Sequence, residues 1–293
     1  MSFKNKIIGI SISESENIGA LGFGNFHLED ANIEIARHLL TQGFTLAYGG
    51  DLRQMGFTEQ LYELVNHFTP IEEEKRSYLH SFLGYPIGVD LTEEKQVKLL
   101  DLVKFHVLGL PNDLASKEPS ELFACSNAEA NYYWFRSMTQ LRETINNAID
   151  ARIVLGGQTT PFSPSGKGYK SKFSGIVEEV LLAMQANKPV YLCGAFGGAA
   201  QAVIDALQTG NSDVLKLAHF EDKTQYIETI NLYNARHPDE KINFEELNQF
   251  FAERGIEGLN NGLSQDENKL LFATIHIPQM VSLVLKGLKQ ILK

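Results

Sequence analysis

Three adjacent glycine pairs, Gly49-Gly50, Gly156-Gly157 and Gly197-Gly198, each close a short apolar run. A strand that ends in glycine has no Cβ to obstruct a ligand, so a phosphate can approach the backbone N–H groups there. One such pair is ordinary in a tight turn. Three at equivalent ends of parallel strands lie along one sheet edge, where ligands of open α/β sheets bind. The pattern reads as a nucleotide or phosphate site, with plain strand-to-helix turns as the alternative. Gly9 and Ser11 on the first run, Asp51 after the first pair and Gly194 before the last belong to the same edge.

Charged residues sit beside this edge. Arg142 lies inside an apolar helical stripe of Met138, Leu141, Ile145 and Ile149. A cation on such a stripe must snorkel or find an anion. One reading is a helix-end salt bridge. The other is a ligand phosphate or carboxylate, in which case Arg142→Ala weakens binding and costs the ligand-free protein little. Glu178 and Glu179 open the helix after the fourth strand. They can simply favour the positive helix end. Beside a sugar, a carboxylate there can hydrogen-bond ribose hydroxyls or stabilise an oxocarbenium ion. Gly166, Lys167, Gly168, Lys170 and Lys172 read as a basic lid or as a solvated loop.

Several chemistries are excluded. The first strand, Gly9-Ile10-Ser11-Ile12-Ser13, carries no G-x-G-x-x-G, and no G-x-x-x-x-G-K-[ST] occurs. A G-x-S-x-G elbow and an H-E-x-x-H pair are also missing. Cys125 and Cys193 make neither a disulfide framework nor a zinc pattern, so reduced thiols in a cytoplasmic protein are expected, with no metal and no cofactor. The formal charge of −10, from 26 basic and 36 acidic residues, argues against nucleic acid as a partner. The N-terminal apolar run is too short for a signal peptide, and no stretch reaches the roughly 18 apolar residues of a membrane helix.

The elements that must position these residues follow from periodicity. Runs at 6–12, 44–50, 104–110, 151–157 and 189–198 read as strands, with a weaker one at 79–89. Helical stripes occupy 29–42, 132–149, 175–186 and 198–208, and polar helical sequence fills 221–256 before a turn at 259–264 and a helix at 278–292. Alternating strands and helices predict an α/β fold, a Rossmann-like open, mostly parallel sheet with helices on both faces. The expected organisation is one such domain over 1–212, with a helical C-terminal extension over 213–293 packed on it.

Together these residues resemble the SLOG superfamily, named for Smf/DprA and the LOG proteins. Its members include cytokinin-activating phosphoribohydrolases, the ligand-sensing region of TRPM channels and the cyclic-ADP-ribose sensor of the Thoeris anti-phage effector. The hydrolases carry an Arg on a helix, then a strand and P-G-G-x-G-T-x-x-E. Arg142, with a one-residue offset, Gly156, Gly157, Gly175 and Glu179 match that pattern. The Pro is missing, residues 158–174 stand where the hydrolases have one residue, and Ile176 replaces the Thr. The chain is more similar to the bacterial conflict-system branch. That branch shows H-L-x-D-A, A-Y-G-G-D-L-R, D-A-R-I-V-L-G-G, an E-E helix and N-N-G-L-S, found here at 27–31, 47–53, 150–157, 178–179 and 260–264.

The resemblance implies a sensor of a nucleotide-derived ligand of ADP-ribose or cyclic-ADP-ribose type, in bacterial anti-phage signalling. Arg142 would pair with a phosphate, Gly156 and Gly157 would cradle it, and Glu179 would take a ribose hydroxyl. The alternative is a nucleotide N-glycosidase or phosphoribohydrolase, in which Glu179 and Arg142 are catalytic. A homo-oligomer and an effector protein partner are expected, with no membrane partner.

Overall fold

The computed structural model describes residues 3–50, 52–53, 55–68, 76–114, 127–162 and 168–292. Six strands form one sheet: β1 Ile7–Ser13, β2 Thr45–Gly49, β3 Leu79–Leu83, β4 Val103–Val107, β5 Ala151–Gly156 and β6 Val190–Cys193. Their order is β4-β3-β2-β1-β5-β6, and every pairing is parallel. Ten α-helices are described: α1 Asn25–Thr41, α2 Phe57–His67, α3 Glu93–Lys98, α4 Ala128–Ala148, α5 Gly175–Gln185, α6 Gly198–Thr209, α7 Thr224–Arg236, α8 Phe244–Arg254, α9 Gln265–Ala273 and α10 Ile277–Ile291. The fold is Rossmann-like α/β. None of these helices is long and apolar enough to cross a membrane.

Three layers result from the two-residue alternation along the strands. Ile8, Ile10 and Ile12 of β1 point into a core shared with α1, α2 and α10. On the other face α4 lies across β1 to β3, and α5 and α6 cover β5 and β6. Glycine lets α4 come this close. A Cβ on Gly9 would stand 2.8 Å from Ile149, one on Gly84 would stand 3.1 Å from Met138, and one on Gly49 would overlap Ile145. Gly9 is therefore fixed by helix packing, a role that strand-end chemistry did not suggest.

Some elements differ from the periodicity reading. The run at 79–89 is a strand only over Leu79–Leu83. The polar stretch 221–256 splits into α7 and α8, which pack on α4 and α6. The turn expected at 259–264 is present and covers the end of the sheet at β6. The Asn261 amide donates to the carbonyl of Val190 at 2.8 Å, and the Tyr191 hydroxyl donates to the carbonyl of Asn261 at 2.7 Å. Ser264 and Glu267 then form a reciprocal cap on α9.

Two histidines lie side by side near the open edge. The rings of His80 on β3 and His106 on β4 are 5.0 Å apart, and His106 stacks on Phe82 at 4.2 Å. Burial pushes His80 down to about 4, helped by His106 and Lys104, and burial likewise lowers His106. The folded protein thus binds fewer protons here than the unfolded chain does between pH 6.5 and about 4. This stability is present above pH 6.5 and is lost as pH falls through that window. His80→Phe is expected to flatten the fall in melting temperature between pH 7 and 4.5. A wild-type slope in the variant would show that His80 does not set it.

Candidate functional site

The order of the sheet reverses at β1, which has β2 on one side and β5 on the other. Ligands of doubly wound sheets sit in the crevice beyond the carboxyl ends of such strands. A cleft of about 400 Å³ opens there, within the roughly 300–1,000 Å³ usual for small-ligand sites. Its apolar wall is Trp134, Met138 and Leu141 of α4. Arg53, Arg142 and Lys170 face it with Glu179, so its described lining carries more positive than negative charge in a chain of net −10. An open depression of about 500 Å³ between α2 and α3 lies away from this crevice and is lined by surface charges.

Behind the cleft lies a buried charge cluster. Arg142 of α4 is 8% exposed and bonds Glu178 of α5, which is 0% exposed. Thr139 donates to Glu178 at 2.7 Å, and the Lys172 ammonium stands 3.3 Å from it. Burial would raise the Glu178 carboxyl, but Arg142, Lys172 and the Thr139 hydroxyl outweigh it and leave it below the ordinary carboxylate range. Burial opposes the charge on Lys172 as well, and Glu178 more than restores it. Lys172, its side chain 21% exposed, is thus tied to Glu178 rather than solvated in a loop.

A second pair adjoins the first. Arg152, 1% exposed on β5, donates to Glu179 at 2.7 Å and to the Ser11 hydroxyl oxygen at 2.7 Å. Ser11 in turn donates to Glu179. Burial pulls the Arg152 guanidinium below its ordinary value against the pull of Glu179. Its Nε and Nη2 are buried without a hydrogen-bond partner among the described residues. One Glu179 oxygen is thereby held inside the protein. The other stands 3.9 Å from Arg142 Nε on the cleft side.

Of the residues expected from sequence, Ser11, Gly49, Gly50, Arg142, Gly175 and Glu179 line the cleft. A Cβ on Gly175 would stand 2.8 Å from Arg142 Nη2, so this glycine makes room for the guanidinium. Gly9, Gly156, Gly157, Lys172, Glu178, Gly194 and Gly197 do not line it. The Gly157 amide donates to Ser13 O at 2.9 Å, that of Gly197 to Gly194 O at 2.9 Å, and that of Gly198 to Asn17 Oδ1 at 3.1 Å. Left-handed φ values of 63° at Gly156, 113° at Gly157 and 67° at Gly197 demand glycine independently of any ligand. Asp51, Gly166 and Lys167 lie outside the described residues.

Sequence reasoning missed Arg152, although an Arg inside the apolar run Ala151–Gly156 is the same signal that marked Arg142. It also missed Arg53 and Trp134; the Lys170 ammonium sits 4.7 Å over the Trp134 ring. Among the described residues no His, Cys, Asp and Glu group could hold a metal ion. Cys193 is buried, which pushes its thiol up to about 12, far from a reactive thiolate.

No curated protein matches the chain. A family model described as SLOG cluster2 matches residues 2–271, a span that holds all six strands, the cleft and both charge pairs. On that match across nearly its whole length, the chain belongs to the SLOG cluster2 family.

Proposed function

We propose that the protein binds and senses a nucleotide-derived ligand of ADP-ribose or cyclic-ADP-ribose type in the cleft at the ends of β1, β2 and β5. Membership of the SLOG cluster2 family points to a nucleotide-related function. The observation that carries the reading is the wall chemistry. An apolar side of Trp134, Met138 and Leu141 suits a base, and Arg142, Arg53 and Lys170 suit phosphate, with the free side of Glu179 near a ribose. In this reading the signal passes to an effector protein in anti-phage defence. Native mass spectrometry of the purified protein tests it, together with calorimetry against ADP-ribose, cyclic ADP-ribose and AMP. No co-purified nucleotide and no heat with any of the three would sink the proposal.

Hydrolysis is the second reading, because Glu179 and Arg142 meet at the cleft wall. What favours binding over turnover is the hold on Glu179. Ser11 and Arg152 take one of its oxygens and Arg152 balances its charge, leaving one acceptor for a hydroxyl. Glu179→Gln, measured on folded protein, is expected to weaken binding by about 0.5–1.5 kcal/mol, the worth of an ordinary hydrogen bond. Base release by the wild type that vanishes in Glu179→Gln would make the protein a hydrolase.

A further inference from the structure

We propose that the backbone amides of Thr159 and Thr160 form an oxyanion site that Glu16 fills in the ligand-free protein and yields to a phosphate of the ligand. This rests on the reading of the cleft as a nucleotide site and narrows it to ligands with two phosphates.

The Thr159 amide donates to both Glu16 oxygens at 3.0 Å, and the Thr160 amide donates to Oε1 at 3.0 Å. The Thr159 hydroxyl adds a bond to Oε2 at 3.1 Å. Two successive N–H groups and a hydroxyl converging on one oxyanion is the geometry of a backbone anion nest. Among the described residues all hydrogen bonds of Glu16 go to these two threonines, and its side chain is exposed. The occupant is therefore tethered by the nest alone, and water can replace it at little cost.

The nest adjoins the cleft. Gln158, one residue before it, lines the cleft. Its amide stands 3.3 Å from the Ser13 hydroxyl oxygen, and its carbonyl accepts from Ser174 at 2.6 Å. With the Gly157 amide on Ser13 O, the loop is pinned up to residue 158, and the amides of 159 and 160 are the first left to an acceptor brought from elsewhere. The neighbouring residue acts in the same way, since Asn17 Oδ1 accepts from the Gly198 amide at 3.1 Å. Consecutive side chains of the β1–α1 loop thus place oxygen on the loops after β5 and β6. Only Glu16 brings a charge. A phosphate outcompetes a tethered carboxylate there if its other contacts hold it, and Arg142, Arg53 and Lys170 supply those for a second phosphate. Entry of a diphosphate would release Glu16, which ties occupancy to the conformation of the loop that opens α1.

The test compares wild type, Glu16→Gln and Glu16→Ala by calorimetry with ADP-ribose and AMP, with melting temperature as the fold control. Glu16→Ala is expected to bind ADP-ribose about tenfold more tightly, equivalent to about 1.4 kcal/mol. Glu16→Gln should fall between, and AMP affinity should change less than threefold. If ADP-ribose binds and Glu16→Ala leaves its affinity unchanged, or if AMP gains as much, the inference is wrong and the cleft reading stands. If neither nucleotide binds any of the three proteins, the cleft reading fails, and inorganic phosphate decides the oxyanion site alone. Phosphate-dependent NMR shifts at the Thr159 and Thr160 amides in Glu16→Ala, absent in wild type, support the site; no shifts overturn it.

Discussion

Arg152→Met is expected to destabilise the ligand-free protein by about 3–5 kcal/mol, the usual cost of removing one partner of a buried ion pair. The variant leaves Glu179 in a largely buried position with only the Ser11 hydroxyl as a close donor. Met also removes two buried guanidinium nitrogens that lack partners, which offsets part of the loss. The double variant Arg152→Met/Glu179→Leu separates these terms. It removes both charges and fills the space, so it is expected to recover most of the wild-type stability. Urea denaturation of the two single variants and the double variant closes the cycle. A double variant as unstable as the sum of the singles would show that the pair is not what holds this region.

Arg142→Ala is expected to cost the ligand-free protein about 3 kcal/mol, near the lower end for a broken buried pair, because Lys172 and Thr139 remain on Glu178. Sequence alone left two readings, a helix-end salt bridge and a side chain that waits for a ligand at little cost, and the bond to Glu178 favours the first. The physical reason is Glu178: at 0% exposure its charge has no access to water and depends on Arg142 and Lys172. Arg142 also reaches the cleft, so the variant should lose ligand affinity as well. Affinity must be read well below its lowered melting point, and Arg142→Lys, which keeps the charge but not the planar fork, serves as the second variant. A melting temperature equal to wild type would refute the structural role.

The sheet was legible because buried parallel strands are continuous apolar runs, as in β2, β5 and β6; His80 and Ser81 interrupt β3, and Lys104 and His106 interrupt β4. The strand order and the reversal at β1 were not legible, since pairing between distant segments leaves no local mark. Helix α2 carries a stripe of Phe57, Leu61 and Val65 that the periodicity reading passed over. Helices α3 and α9 are short and mostly polar, and α3 buries no residue at all. At the site, sequence distinguished charged residues from apolar neighbours but not their partners. Arg142 and Glu178 are 36 positions apart, Arg152 and Glu179 27, and Glu16 and Thr159 143. The paired glycines were read as ligand cradles because the left-handed backbone and close helix approach that also require glycine are visible only in three dimensions.

The position of β1 also dictates the order in which the chain can assemble. Its amide at Ile7 donates to the Asp150 carboxylate 143 residues later, and its second neighbour, β5, follows directly. On a ribosome, β2, β3 and β4 emerge early and can zip onto one side of β1. The other side stays bare, with Ile8, Ile10 and Ile12 half-covered, until β5 at Ala151–Gly156 has been made. At about 5–20 residues per second that exposure lasts on the order of ten seconds. It is a window in which an unpaired apolar strand invites the wrong neighbour, and late closure by β5 ends it.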